Sequence, residues 1–289
     1  MNTKPTYIFV DGGYLRRQHA NVTQSWFGLE PNLDFRLVIR KLEQLADPRD
    51  VWFPSETVLQ PPERETRSFY YDCPDEGKKD KETDEQYKSR IERQDAQLRE
   101  LREVDGCHLR LGTLKGDKNK RKQKEVDVLL AVDMLAHAAR GNMTKAVLLA
   151  GDLDFRPAVE ALVQLGVFVQ IVADEKTTSK ELTWAGSAFS KLSFDDFYNW
   201  SSSDLKSRYP IPQSGSYKPY SRSEKAIKEG CLNGYRCTLF ESENHFLLHF
   251  KCFDPLHVGG KSEWHFMHED LARLELYLKL QHGPVVWDN

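Results

Sequence analysis

The run Ala146-Val-Leu-Leu-Ala150 is an unbroken apolar stretch that stops at Gly151 and is followed at once by Asp152 and Asp154. A short continuous run of this kind, closed by a turn, reads as a strand buried on both faces. Such strands belong to parallel sheets with helices packed on each side, which limits the chain to an α/β architecture. The residues that follow agree, because Arg156 to Leu165 has helical spacing with Pro157 at a first-turn position. Asp152 and Asp154 therefore stand where a strand hands over to a helix, the edge at which open α/β sheets bind ligands. Carboxylates there either cap a helix or hold a cation.

The same pattern opens the chain. Tyr7-Ile-Phe-Val10 is a second buried-strand run, and it ends in Asp11-Gly-Gly13, so Asp11 is either a turn residue or another strand-end acid. An amphipathic helix is predicted over Leu33 to Leu45, broken by Asp47-Pro-Arg-Asp50, and the Pro54, Pro61 and Pro62 stretch reads as exposed loop over 51–65. Strands are predicted at Arg67 to Cys73 and Cys107 to Leu111. Between them lie a charged loop, Pro74 to Glu82, and a solvated helix, Glu85 to Glu103, whose sparse apolar side is Tyr87, Ile91, Leu98 and Leu101. Val167 to Val172 is a further strand, ending near Asp174. A short helix over Ser179 to Trp184 and a segment over Phe189 to Trp200 complete the unit. Alternating strands and helices predict a doubly wound parallel sheet.

Two features precede the central strand. Lys115 to Lys124 holds six basic residues, Lys115, Lys118, Lys120, Arg121, Lys122 and Lys124, against one acid. It is either a solubilising loop or one that tracks phosphates. Glu125 to Arg140 reads as a helix apolar almost all round and hence buried, with Asp133, His137 and Arg140 as its solvent stripe. Asp127 lies on an otherwise apolar face. Either the helix dipole, worth ~0.3–1 kcal/mol in the first turn, or a metal ion at the mouth of the sheet accounts for it.

Asp11-Gly-Gly-Tyr-Leu15, the Lys-x-Val-Asp-Val run from Lys124 to Val128, which carries Asp127, and Gly151-Asp-Leu-Asp-Phe155 together resemble the NYN domain, a branch of the PIN-like metal-dependent nucleases. The resemblance spans residues 6–198. It implies a PIN-like three-layer α/β/α sandwich with a mainly parallel sheet, and RNA hydrolysis dependent on Mg2+ or Mn2+. It places the catalytic, metal-holding acids on Asp11, Asp127, Asp152 and Asp154. Tyr14 stands where many relatives carry asparagine. Ser187-Ala-Phe189 stands where many carry Asp-x-Phe, with Asp174 a candidate substitute acid.

Electrostatics points the same way. Two like charges ~4 Å apart cost about 4 kcal/mol at an effective dielectric of ~20, so four converging carboxylates would repel by on the order of 10 kcal/mol. A marginally stable domain needs protons or a hard cation to offset this, and all-oxygen ligands suit Mg2+ or Mn2+. The expected chemistry is attack of a metal-activated water on a phosphodiester, leaving 5′-phosphate and 3′-hydroxyl ends. The sequence carries neither a nucleotide-binding P-loop nor a Gly-x-Ser-x-Gly elbow. The alternative is a non-catalytic RNA-binding or adaptor module that keeps the fold.

Beyond residue 200 the composition changes. Ser201-Ser-Ser203, Pro210, Pro212, Ser214-Gly-Ser216 and Pro219 predict a linker over 201–222 after a nuclease domain over 1–200. Residues 223–289 read as a small α+β appendage with a hairpin around Glu241 to Asn244, a turn at Gly259-Gly260 and a helix over Glu269 to Leu280. Its size suits packing on the first domain, self-association or a protein partner. Its cysteines and histidines fit no familiar zinc spacing. Five cysteines without a regular pattern predict free thiols. With no signal peptide and no apolar run of ~20 residues, the sequence reads as cytoplasmic and without a membrane segment. RNA is the expected substrate, with DNA as a variant that no residue distinguishes. The net charge of -3 by itself favours no partner.

Overall fold

The computed structural model describes residues 5–29, 31–46, 66–74, 77–78, 82–112, 124–216, 225–242, 244–253 and 261–288. The loop expected over 51–65 and the turn at Gly259-Gly260 lie outside the described residues. The chain divides into two compact units, Met1–Asn21 with Asn32–Ser193, and Val22–Pro31 with Phe194–Asn289.

The first unit runs β1 (Thr6–Asp11), α1 (Gly12–Phe27), α2 (Phe35–Ala46), β2 (Thr66–Asp72), α3 (Asp84–Arg102), β3 (Cys107–Leu111), α4 (Lys124–Ala139), β4 (Lys145–Leu149), α5 (Arg156–Gln164), β5 (Phe168–Ala173), α6 (Lys180–Ala185) and β6 (Ala188–Lys191). Helix α1 passes into the second unit at Val22. All strand pairs here are parallel, in the order β3-β2-β1-β4-β5-β6. The chain leaves β1 toward one edge for β2 and β3. It then returns to the other side of β1 for β4. That reversal makes the carboxyl ends of β1 and β4 a switch point, the place where such sheets bind ligands.

Period-two alternation sorts the strand side chains into two layers. Tyr7, Phe9, Phe69, Tyr71, Ala146, Leu148, Val169 and Ile171 join Val126, Leu130 and Met134 of α4, Val159 and Leu162 of α5 and Leu182 of α6 in one core. Ile8, Val10, Tyr70, Val147, Leu149 and Val172 are buried on the other face, where the Phe35 ring of α2 meets Tyr70 edge-on at 5.2 Å. The result is the expected three-layer α/β/α sandwich. Burying each large side chain stabilises by about 1.5–3 kcal/mol, and this fixes the strand ends that carry the acids. Local signals agree with the elements. Asp34 Oδ1 accepts the N–H groups of Arg36 and Leu37 to start α2, and Thr83 and Gln86 form a capping box on α3.

Helix α4 departs from expectation. It is not buried all round, because Val128 is 62% and Val132 53% exposed. Nor is the Asp133–His137 stripe its solvent side. Asp133 accepts hydrogen bonds from Tyr71 Oη at 3.0 Å and from Arg110 Nε at 2.9 Å, and the His137 ring rests on Tyr7 and Phe69. A polar pair on the sheet-facing stripe rotates the helix away from the orientation that its hydrophobicity alone suggests. Solvent meets two valines instead.

The second unit adds α7 (Phe194–Asn199), α8 (Ser203–Arg208), β7 (Gln213–Ser216), β8 (Lys225–Leu232), β9 (Tyr235–Glu241), β10 (Phe246–Phe253), β11 (Lys261–His268), α9 (Leu271–Gln281) and β12 (Val286–Trp287). Its antiparallel sheet has the order β12-β8-β9-β10-β11-β7. The expected hairpin is β9–β10. The core holds Trp26, Phe27, Phe194, Tyr198, Leu205, Leu232, Leu239, Leu248, Phe266, Leu274, Tyr277 and Leu278. Part of the stretch expected as linker thus carries α8 and β7. Leu205 is buried and Tyr209 and Ile211 pack partly on this core, enough apolar surface to order a segment otherwise rich in serine and proline. The division falls at Phe194, so α7 belongs here. Among the described residues, Cys107, Cys231 and Cys237 are free thiols, and the Cys73 thiol donates to the Gly112 carbonyl. Among the described residues no helix is long and apolar enough to cross a membrane.

Candidate active site

The pleat carries Asp11 onto the face of Tyr7 and Phe9, the face that α4 covers. Asp11 is 6% exposed. Its Oδ1 accepts the Tyr14 N–H at 2.9 Å, where the chain turns into α1. Burial pushes its carboxyl up, while the Tyr14 and Gly13 N–H groups and the charges of Arg17 and Arg16 pull it back.

One strand away, β4 ends at Leu149 and the buried Ala150 leads to Gly151 and Asp152. Asp152 Oδ1 accepts the Asp154 N–H at 3.0 Å and starts a 3-10 turn, Leu153–Phe155. The Phe155 ring is 1% exposed and anchors that turn in the core, leaving Asp152 and Asp154 exposed above it. Pro157 then stands in the first turn of α5. One oxygen each of Asp11 and Asp152 is therefore engaged in local capping.

The third segment is the first turn of α4, which carries Asp127, a partly exposed residue. Burial, and then the negative charges of Asp11, Asp152 and Asp154 in that order, push its carboxyl up to about 6. Arg17 pulls in the other direction. Four acids from three separate segments thus share one electrostatic neighbourhood at the switch point.

They do not form a preformed cage. Among the described residues, no group of three or more His, Cys, Asp or Glu is placed to hold one ion. The all-carboxylate donor set and the raised Asp127 carboxyl both suit a hard divalent cation.

Around the acids the sheet edge is tied down. Tyr14 is 4% exposed. Its hydroxyl accepts the Asp174 N–H at 3.0 Å and lies 3.4 Å from Thr178 Oγ1. Its ring covers Gly151 so closely that a Cβ there would sit 2.4 Å from Cε2. A side chain at 151 would displace the tyrosine. Tyr14 thus clamps the loop after β5 against the turn that bears Asp152. The side chain of Asp174 accepts the Lys176 N–H at 3.0 Å and shapes its own turn. Ser187 Oγ accepts the Val169 N–H at 3.1 Å near the amino end of β5, the sheet edge away from the acids. Asp72, on the opposite pleat face from Tyr71, is 2% exposed and ion-paired with Arg16, which also donates to Tyr70 Oη at 3.3 Å. Strand β2 therefore ends in a buried ion pair beside the acid neighbourhood.

Lys115, Lys118, Lys120, Arg121 and Lys122 lie outside the described residues. Lys124 opens α4, three residues before Asp127. Arg17, exposed on the second turn of α1, was invisible to sequence reasoning because α1 itself was. Its polar segment Arg16-Arg-Gln-His19 and the buried polar residues Gln18, His19 and Thr23 hide the helical pattern.

The sequence profile of the NYN domain matches residues 5–193, more than half of the chain. No curated protein matches. A crystal structure of a protein of unknown function from Vibrio parahaemolyticus shares 18% identity at a TM-score of 0.44, covering 68% of this chain and 98% of that one, a likeness too distant to bear on function.

Proposed function

This chain belongs to the NYN domain family of the PIN-like nuclease superfamily, and we propose that it is a divalent-cation-dependent ribonuclease whose acidic centre is Asp11, Asp127, Asp152 and Asp154. The observation that carries this reading is the raised carboxyl of Asp127, produced in part by the three other acids. A carboxyl that burial and then three neighbouring acids push up, at a ligand-binding sheet edge, is poised to exchange its proton for a cation.

Asp11, Asp127, Asp152 and Asp154 would hold Mg2+ or Mn2+, with waters completing its shell. Such an ion supplies Lewis-acid charge, making water nucleophilic at neutral pH and offsetting the charge that builds on the phosphate. The buried Asp11, fixed by the Tyr14 N–H, is the rigid member of the set. Asp152 and Asp154, on a turn anchored by Phe155, face the solvent side from which a strand would enter. In the hydrolysis a water oxygen forms a new bond to phosphorus while the bond to the 3′ oxygen breaks, giving 5′-phosphate and 3′-hydroxyl ends. In this reading the basic residues Lys115, Lys118, Lys120, Arg121, Lys122 and Lys124 follow the phosphates of the same strand.

The test is cleavage of labelled single-stranded RNA, structured RNA and DNA in Mn2+, Mg2+ or EDTA. Metal-dependent cutting of RNA supports the assignment. The capping bonds on Asp11 and Asp152 favour the second reading, a binding module that keeps the fold. Salt-sensitive RNA binding without cutting in either metal is its signature.

A further inference from the structure

Strands β1 and β4, which lead into Asp11 and Asp152, are neighbours, and β5 lies beyond β4. Tyr14 crosses all three carboxyl ends. Its N–H caps Asp11 Oδ1 at 2.9 Å after β1, its ring lies on Gly151 after β4, and its hydroxyl accepts the Asp174 N–H at 3.0 Å after β5. A small ring of hydrogen bonds closes the far end. Thr178 Oγ1 gives its only proton to the Asp174 carbonyl at 2.8 Å, so across the 3.4 Å between the two hydroxyls Tyr14 Oη is the donor and Thr178 the acceptor. The buried tyrosine hydroxyl thereby both donates and accepts.

The middle contact is the tightest. A Cβ on Gly151 would stand 2.4 Å from Tyr14 Cε2, and 2.9 Å from both Tyr14 Cζ and Thr178 Oγ1. Gly151 does not take a positive φ, so the ring, and not the backbone, excludes a side chain there. The residue covered in this way is joined directly to Asp152, whose Oδ1 starts the turn that carries Asp154. We infer that Tyr14 is a positioning residue for the acidic centre, a strut across the ends of β1, β4 and β5 that sets the separation of Asp11 from the Asp152–Asp154 turn so that both sides act on one divalent cation. The inference rests on the proposed metal-dependent function. Side chains that orient metal-holding groups without touching the ion account for about 10- to 100-fold in affinity or activity.

The Mn2+ affinity of the full chain, read by titration calorimetry well below each protein's melting temperature, reports on this separation without any turnover. Tyr14→Leu keeps an apolar side chain in the core but removes the ring and the hydroxyl. Gly151→Ala displaces the ring from the opposite side. Each should weaken Mn2+ binding about 10-fold or more and, in RNA cleavage, lower kcat about 10- to 100-fold while KM changes less than about 3-fold. Tyr14→Phe, which keeps the ring on Gly151, should stay within about 3-fold of the wild type in both measurements. Combining Tyr14→Leu with Gly151→Ala should cost less than the product of the two losses, because the added methyl no longer meets a ring. Val169→Ala, a cavity elsewhere in the same unit's core, should lower the melting temperature and leave Mn2+ affinity unchanged. Unchanged Mn2+ affinity in folded Tyr14→Leu and Gly151→Ala, losses that multiply in the double variant, or an equal loss in Val169→Ala would overturn the inference. If the affinities follow the expected pattern while the wild type cuts no RNA, the strut stands and it is the nuclease assignment that fails. A wild-type chain that binds no Mn2+ would overturn both.

Discussion

Asp127, in the first turn of α4, stands where the helix dipole favours an acid, yet its surroundings in the fold disfavour its charge. Burial, and then the like charges of three other acids, push its carboxyl up to about 6, above the ~3.9 of an unfolded chain. For an acid raised in this way the folded state binds the proton more tightly. Stability is therefore fullest below about pH 4, declines as pH rises through 6, and is lowest above it. Replacing Asp127 with Asn should stabilise the metal-free protein at pH 7 by on the order of 1 kcal/mol once solvent screening is allowed for, with little effect near pH 4. Denaturant melts of both proteins in EDTA at the two pH values check this. Equal stability at pH 7 would mean that neither burial nor the neighbouring acids disfavour the charge on Asp127. The four acids themselves were legible because each follows a recognisable strand end or helix start. Tyr14 was not legible in its role, since a tyrosine whose hydroxyl takes the Asp174 N–H while its ring covers Gly151 is a fact of tertiary contact.

At the level of elements, the buried strands declared themselves through continuous apolar runs, and their parallel pairing followed from alternation with helices, whereas the order β3-β2-β1-β4-β5-β6 is set by which strands pair across the sheet. Helix α1 escaped notice because it buries Gln18, His19 and Thr23 beside Tyr14, Leu15, Trp26 and Phe27, so that neither face reads as apolar. Helix α4 was recognised but turned wrongly, since the Tyr71 and Arg110 partners of Asp133 cannot be foreseen from its own residues. The β8–β9 hairpin carried a usable signal, Asn233-Gly234, and both residues have the positive φ of a tight two-residue turn, 50° and 83°. The basic segment ahead of α4 makes a prediction at this scale. Neutralising Lys118, Lys120, Arg121 and Lys122 together should weaken RNA binding across sequences and lower the salt slope by about 0.7 for each phosphate that is no longer neutralised. An unchanged slope in an anisotropy titration would mark that segment as a solubilising loop.

For the molecule as a whole, the profile match ends at residue 193, and the second unit begins at Phe194 while also taking Val22–Pro31. Helix α1 thus serves both units, bearing Arg17 in the first and Trp26 and Phe27 in the second. Trp26 and Phe27 are 1% and 2% exposed, within the core built from residues 194–289. Truncation after residue 193 should expose both rings, removing about 3–6 kcal/mol of burial, and lower the melting temperature or cause aggregation. A truncated chain that melts like the full one would show that α1 does not need the second unit.

The central claim is that the acids at the β1–β4 switch point cut RNA with the help of a divalent ion. Its most direct test is cleavage of single-stranded RNA in Mn2+ by the wild-type chain and by Asp152→Asn, with the circular dichroism spectrum and melting temperature of each measured alongside. The account predicts cutting by the wild type that EDTA abolishes, and activity reduced at least about 100-fold in a variant that is still folded. Near-normal cutting by folded Asp152→Asn protein would contradict it.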